Sequence, residues 1–139
     1  MIKTYNNVTL QELNVIAKEV ACKIKKQDVI ALYGDLGSGK TTLSRLIIQE
    51  LTKNHNLDVL SPTYNIVSIY NDYIYHFDLY RIEDKEELEH IGINEALLYG
   101  ISLIEWPQIA EDLFTKYSID IKITINNKEN RNIIVNYKS

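Results

Sequence analysis

Gly34-Asp35-Leu36-Gly37-Ser38-Gly39-Lys40-Thr41 fits the pattern G-x-x-x-x-G-K-[ST] at every fixed position, and Thr42 follows it. The residue types match one chemistry, the grip on a nucleotide triphosphate. Glycines let successive backbone N–H groups curl round phosphates where a Cβ would collide. The helix expected to open near Lys40 turns its positive end toward the same phosphates. Lys40 is placed to neutralise β/γ oxygens, and the Thr41 hydroxyl to ligate Mg²⁺. The rival reading, a chance glycine turn, fails on context. The stretch follows an apolar strand and precedes a good helix.

Such a loop also requires a carboxylate at the end of a neighbouring strand to hold Mg²⁺, directly or through water. Ile101-Ser102-Leu103-Ile104-Glu105 reads as a buried strand delivering Glu105 to the carboxyl edge of a sheet. Asp78, within His76-Phe77-Asp78-Leu79-Tyr80-Arg81, competes with it. Either acid could instead be a solvated strand-end charge or a partner of Arg81. Thr41 and Glu105 are expected on the metal. Asp78 then orients the attacking water or holds a metal-bound water. Ser61-Pro62-Thr63 lies where GTPase-like proteins keep a switch segment, and it equally suits an ordinary turn.

The elements that must position these groups follow from periodicity. Thr9 and Glu12 form a capping-box pattern, and Leu10, Leu13, Ile16, Ala17, Val20 and Ile24 recur at helical spacing to about Lys26. Val29 to Tyr33 is a continuous apolar run, as in a strand covered on both faces. Thr41 to about Lys53 is helical. Tyr64 to Tyr70 and Tyr73 to Leu79 read as a hairpin around Asn71-Asp72, a turn without glycine. Glu83 to Leu98 reads as one helix, and Pro107 opens a short one to about Lys116. Ile119 to Ile125 and Asn132 to Tyr137 close the chain as strands. The order predicts one α/β domain over residues 1–139, a three-layer P-loop NTPase-like fold with a mostly parallel central sheet and an antiparallel hairpin addition.

Composition narrows the function classes. With 45% hydrophobic and 24% charged residues the chain is expected to be globular. A net charge of −4 disfavours a free-standing nucleic-acid binder, since phosphate backbones demand a concentrated positive field. Lys23, Lys25 and Lys26 sit at an expected helix end, where cations complement the dipole. The single cysteine cannot pair within the chain, no apolar run reaches membrane length, and Met1 to Asn7 lacks a signal-peptide pattern. These features point to the cytoplasm. Cys22 falls on the apolar face of the first helix, so it is expected in the core.

Four motifs together make the chain resemble the TsaE (YjeE) family of bacterial tRNA-modification ATPases. They are G-D-L-G-S-G-K-T-T from Gly34, S-P-T-Y from Ser61, Y-H-F-D-L-Y-R from Tyr75 and I-E-W-P from Ile104. They stand in the family's order, and the resemblance spans nearly the whole chain. It implies Mg²⁺ and ATP as cofactors, with the backbone of Asp35, Leu36, Gly37, Ser38 and Gly39 round the phosphates and Lys40, Thr41 and Thr42 opening the helix. It implies Mg²⁺ at Thr41 and Glu105, activity dependent on Asp78, and a pocket that includes Thr9 and Arg131. It further implies formation of N6-threonylcarbamoyladenosine next to the anticodon of tRNAs that read codons beginning with A. The partners implied are a TsaB–TsaD pair, reset between turnovers by ATP hydrolysis, with tRNA met only through that complex.

Trp106, beside Glu105, suits a core plug, a partner anchor or a stacking surface, the first two fitting better. His76 reads as a satisfied strand-end imidazole, because no second His or Cys stands at ligand spacing. Rival functions make different demands on the residues. A P-loop kinase needs an arginine-bearing lid, whereas Arg45, Arg81 and Arg131 are scattered. Asn127-Lys128-Glu129-Asn130 resembles the guanine-reading N-K-x-D but lacks its Asp. A nucleotide-gated adaptor differs from the family picture only in whether hydrolysis matters.

Overall fold

The computed structural model describes residues 1–60, 66–114 and 118–137. In chain order these form β1 (Ile2–Val8), α1 (Leu13–Ala21), β2 (Val29–Tyr33), α2 (Lys40–Thr52), β3 (Val67–Tyr70) and β4 (Ile74–Asp78). There follow α3 (Glu86–His90), α4 (Ile93–Tyr99), β5 (Ile101–Glu105), a 3-10 helix (Pro107–Leu113), β6 (Ser118–Ile125) and β7 (Arg131–Tyr137). The strands make a seven-stranded sheet in the order β1-β7-β6-β2-β5-β4-β3. Strand β2 runs parallel to both β5 and β6, and β4 runs parallel to β5. Antiparallel pairs flank this interior at both edges, β3 on β4 at one and β6–β7–β1 at the other.

Strand alternation sorts the side chains into two cores. Ile30 and Leu32 of β2, Ile101 and Leu103 of β5 and Ile74 of β4 share a cluster with Leu13 and Ile16 of α1 and Leu43 and Ile47 of α2. On the other face Val29, Phe77 and Ile104 pack with Leu88, Ile93, Ala96 and Ala110. Helices therefore cover both faces of the interior strands, giving three layers. Burying each such Leu, Ile or Phe contributes about 1.5–3 kcal/mol. The apolar run of β2 is continuous, and that of β5 is broken only by the buried Ser102, because neither face of them meets water.

Several expectations change in detail. The reciprocal Thr9–Glu12 bonds are present, the Glu12 backbone N–H donating to Thr9 Oγ1 (3.3 Å) and the Thr9 N–H to Glu12 Oε1 (3.3 Å), but they close a turn ahead of α1, which starts at Leu13. The regular helix nevertheless stops at Ala21, and Cys22 just beyond it is exposed, not in the core. The expected helix from Glu83 to Leu98 is two helices, because Gly92 takes a left-handed φ of +81° and turns the chain between them. The segment opened by Pro107 is a 3-10 helix ending at Leu113; the expected extension to Lys116 falls outside the described residues. Ile2–Val8 forms a strand that periodicity did not predict. In the β3–β4 turn Asn71 (φ 53°) and Asp72 (φ 67°) both adopt left-handed backbone, which their short polar side chains tolerate without glycine. The Ser61-Pro62-Thr63 segment lies outside the described residues. Among the described residues no helix is long and apolar enough to cross a membrane.

Candidate functional site

The site begins where β2 ends. The chain leaves Tyr33, loops through residues 34–39 and enters α2 at Lys40. Gly34 is dictated by space: a Cβ there would lie 2.6 Å from Ser38 Oγ and 2.8 Å from the Ile123 carbonyl. Gly39 is dictated by backbone, capping α2 at φ +114°. The loop is held by the Ser38 N–H on the Asp35 carbonyl (3.1 Å), and α2 starts with the Leu43 N–H on the Gly39 carbonyl (2.9 Å). The Ser38 hydroxyl is buried with no hydrogen-bond partner among the described residues.

Lys40 is turned back into its own loop. Its ammonium donates to the Gly34 carbonyl and to the Asp35 carbonyl (3.1 Å), and lies 4.0 Å from the centroid of the Trp106 ring. Burial pushes this ammonium below the ordinary lysine range, while the charges of Glu105, Asp78 and Asp35 pull it back up. A cation held by carbonyls and an aromatic face is poised to move to phosphate oxygens, which offer full negative charge.

The two acids meet because β4 and β5 are parallel and in register. Asp78 and Glu105 are direct partners at the same edge of the sheet. Ile74, His76 and Asp78 alternate onto the face of β4 that packs on α2, as do Ile101, Leu103 and Glu105 on β5. The Thr41 hydroxyl donates to Glu105 Oε1 (2.7 Å), and Glu105 Oε2 lies 2.6 Å from His76 Nε2. Glu105 is 2% exposed and His76 0%. Asp78, 8% exposed, accepts from the Tyr80 backbone N–H (3.0 Å). Hydroxyl and carboxylate oxygens are the donors that suit a hard cation such as Mg²⁺. Among the described residues no group of three or more His, Cys, Asp or Glu forms a protein-only metal cage.

The cleft beside α2 is lined by Leu36, Gly37, Ser38, Gly39, Lys40, Thr41, Thr42, Asp78, Glu105 and Arg131 from the sequence reading, joined by Leu10 and Trp106. Asp35 offers its carbonyl to the loop but no wall to the cleft. Thr9 spends its hydroxyl on Glu12 (3.0 Å), and the neighbouring Leu10 takes the wall instead. Arg131, 7% exposed, points its guanidinium at backbone carbonyls: Nε to Ser38 (2.8 Å), one terminal nitrogen to Gly37 (3.3 Å), the other to Asn127 (3.1 Å) and Asn130 (3.2 Å). It ties the β6–β7 turn to the glycine loop. In that turn the Asn127 side-chain oxygen accepts from the Glu129 and Asn130 N–H groups, so its amide serves the turn. Trp106 is half-buried, left-handed (φ 54°) and tilted against Tyr80 at 4.9 Å. It roofs Lys40, a role that its place beside Glu105 did not reveal. His76 is not a strand-end imidazole; it sits inside β4 as a partner of Glu105, and only the strand register shows this.

A glycine loop carrying a central parallel strand into a helix, with Lys and Thr opening that helix and a strand-end acid beside them, defines a nucleotide-binding protein of the P-loop NTPase fold. The crystal structure of Bacillus subtilis YdiB superposes with a TM-score of 0.77 at 27% identity, covering 100% of this chain and 87% of that one. The family is shown by sequence: the model for threonylcarbamoyl adenosine biosynthesis protein TsaE matches residues 8–133. The tRNA threonylcarbamoyladenosine biosynthesis protein TsaE of Rickettsia conorii is 39% identical over 92% of this chain and 75% of its own. The protein of the same name from B. subtilis is 35% identical over 93% of this chain and 82% of its own. The chain belongs to the TsaE family.

Proposed function

We propose that this chain binds Mg·ATP in the cleft at the head of α2 and hydrolyses it slowly on its own, in service of tRNA threonylcarbamoyladenosine formation. The observation that carries the reading is the 2.7 Å contact between the Thr41 hydroxyl and Glu105, beside a buried Lys40 at a glycine-capped helix start. Loop N–H groups and the α2 dipole cradle the phosphates. Lys40 leaves the Gly34 and Asp35 carbonyls for the β/γ oxygens. Thr41 and Glu105 would hold Mg²⁺, which when bound neutralises phosphate charge. Asp78, on the neighbouring strand end, orients the attacking water and accepts its proton. Trp106 and Leu10 add apolar walls to the cleft.

Slow turnover follows from what the chain does not bring to the γ-phosphate. Arg131 is committed to carbonyls, Arg45 donates to the Val59 carbonyl (3.3 Å), and Arg81 is not among the residues that line the cleft. An arginine finger is typically worth about 10³ to 10⁵ in rate. On this reading a TsaB–TsaD pair docks on the chain, and hydrolysis resets that complex between turnovers.

The test is multi-turnover threonylcarbamoyl transfer to tRNA by TsaB and TsaD, with and without this chain. Dependence on the chain and on hydrolysable ATP is expected; transfer that proceeds equally without the chain defeats the proposal. The Glu105→Ala variant separates the adaptor alternative. If it binds ATP, hydrolyses none and still supports many turnovers, hydrolysis is not the function.

A further inference from the structure

The buried His76–Glu105 contact has no part in gripping phosphate, and its geometry is more demanding than packing requires. We propose that His76 is a positioning residue that fixes the Glu105 carboxylate for Mg²⁺; this rests on the Mg·nucleotide reading of the same site. An ionised carboxylate only accepts hydrogen bonds, so at 2.6 Å from Glu105 Oε2 it is His76 Nε2 that carries the proton and donates. Glu105 then has one donor on each oxygen, the Thr41 hydroxyl on Oε1 and the imidazole on Oε2. Two donors from different elements, α2 and β4, fix both the rotation and the tilt of the carboxylate plane. One lone pair on each oxygen is left for the cleft.

The other ring nitrogen shows that His76 is present for this one bond. Nδ1 is buried without a hydrogen-bond partner among the described residues. The side chain is 0% exposed and lies between Ile74 and Asp78 on its face of β4, opposite Leu103 on β5. An aliphatic side chain would fill such a place without burying an unsatisfied nitrogen. Holding a ligating carboxylate by a second hydrogen bond is a recurrent device at metal sites, and losing such a partner typically weakens metal affinity about 10- to 100-fold.

The experiment compares the parent with His76→Leu, which removes the donor, and His76→Gln, whose amide nitrogen reaches the position of Nε2. ATP affinity is measured by calorimetry in EDTA and again across a Mg²⁺ titration, with melting curves for folding. In EDTA all three are expected to bind ATP within about twofold of one another, because the loop itself is untouched. The Mg²⁺ concentration that half-maximally tightens ATP binding is expected to rise about tenfold in His76→Leu and to return to within about threefold of the parent in His76→Gln. An unchanged Mg²⁺ midpoint in His76→Leu, or an equal shift in both variants, overturns the proposal. Should His76→Leu fail to fold, ¹⁵N-histidine spectra of the parent decide: a protonated Nε2 with bare Nδ1 supports the assignment, and a bare Nε2 overturns it. Absence of ATP uptake by the parent in either buffer is a separate result, and it brings down the nucleotide reading itself.

Discussion

The two halves of the sheet are built on different terms. Strands β2, β5 and β4 are covered on both faces, by α1 and α2 on one and by α3, α4 and the 3-10 helix on the other. Strands β6, β7 and β1 are covered on one face only. Ile121, Ile123, Ile133 and Val135 are buried there, while Lys122, Thr124 and Ile134 on the opposite face are exposed. The acids of the candidate site lie in the doubly covered half, where Glu105 and His76 are kept from water and a hydrogen bond between them gains strength. The antiparallel half reaches the site through Arg131 and through the close approach of the Ile123 carbonyl to Gly34. A sheet face open to water can support a site at its edge but cannot shelter one.

This contrast can be broken at several points. The largest effect is expected at Glu105 in the covered half. Glu105→Gln should cut ATP hydrolysis by about 10²- to 10³-fold, in line with loss of one preorganised charge at a reacting centre. Single-turnover assays check it, and if Asp78→Ala stops hydrolysis while Glu105→Gln does not, the two acids exchange roles. Lys40→Ala should weaken ATP binding by roughly 10²-fold or more, since charged hydrogen bonds to phosphate contribute about 1.5–3 kcal/mol each. Calorimetry reads this directly. Gly34→Ala sharpens the contrast differently. Its Cβ would meet Ser38 Oγ at 2.6 Å, so a loss of about 1–3 kcal/mol is expected in urea unfolding.

Arg131→Ala tests the tie between the halves. Its loss leaves the carbonyls of Ser38 and Gly37 without their donor, so stability should fall by about 1–3 kcal/mol. ATP affinity should fall with it. Unchanged affinity would make the antiparallel half a bystander. The smallest effect belongs to the open face: Ile134→Thr, at a side chain 41% exposed, should change stability by no more than about 0.5 kcal/mol and leave ATP binding alone.

The same contrast governs what could be read from residues alone. Strand β2 stood out because burial on both faces leaves an unbroken apolar run, β5 because its mostly apolar run ends on an acid, and the glycine loop because its backbone tolerates so few residue types. Strand β1 did not stand out. Of its inward residues only Val8 is apolar and buried, beyond a register shift, whereas Lys3 and Tyr5 are half-buried and tied to Glu19 by an ion pair (3.7 Å) and a phenol hydrogen bond, so no apolar alternation announces it. The break at Gly92 was hidden by helical periodicity on either side. For the site, Thr41 and Glu105 could be nominated one by one, each from its own motif. That they touch, and that His76 completes the contact, depends on the parallel register of β4 and β5, which no local pattern encodes. Trp106 carried no signal of its place over Lys40, because that place depends on a left-handed backbone at a bulky residue.

The most direct measurement is calorimetric titration of Mg·ATP into the intact folded chain, with Lys40→Ala alongside. One saturable site in the parent, lost in the variant, is the predicted result. Equal uptake by both proteins, or none by the parent, contradicts the account.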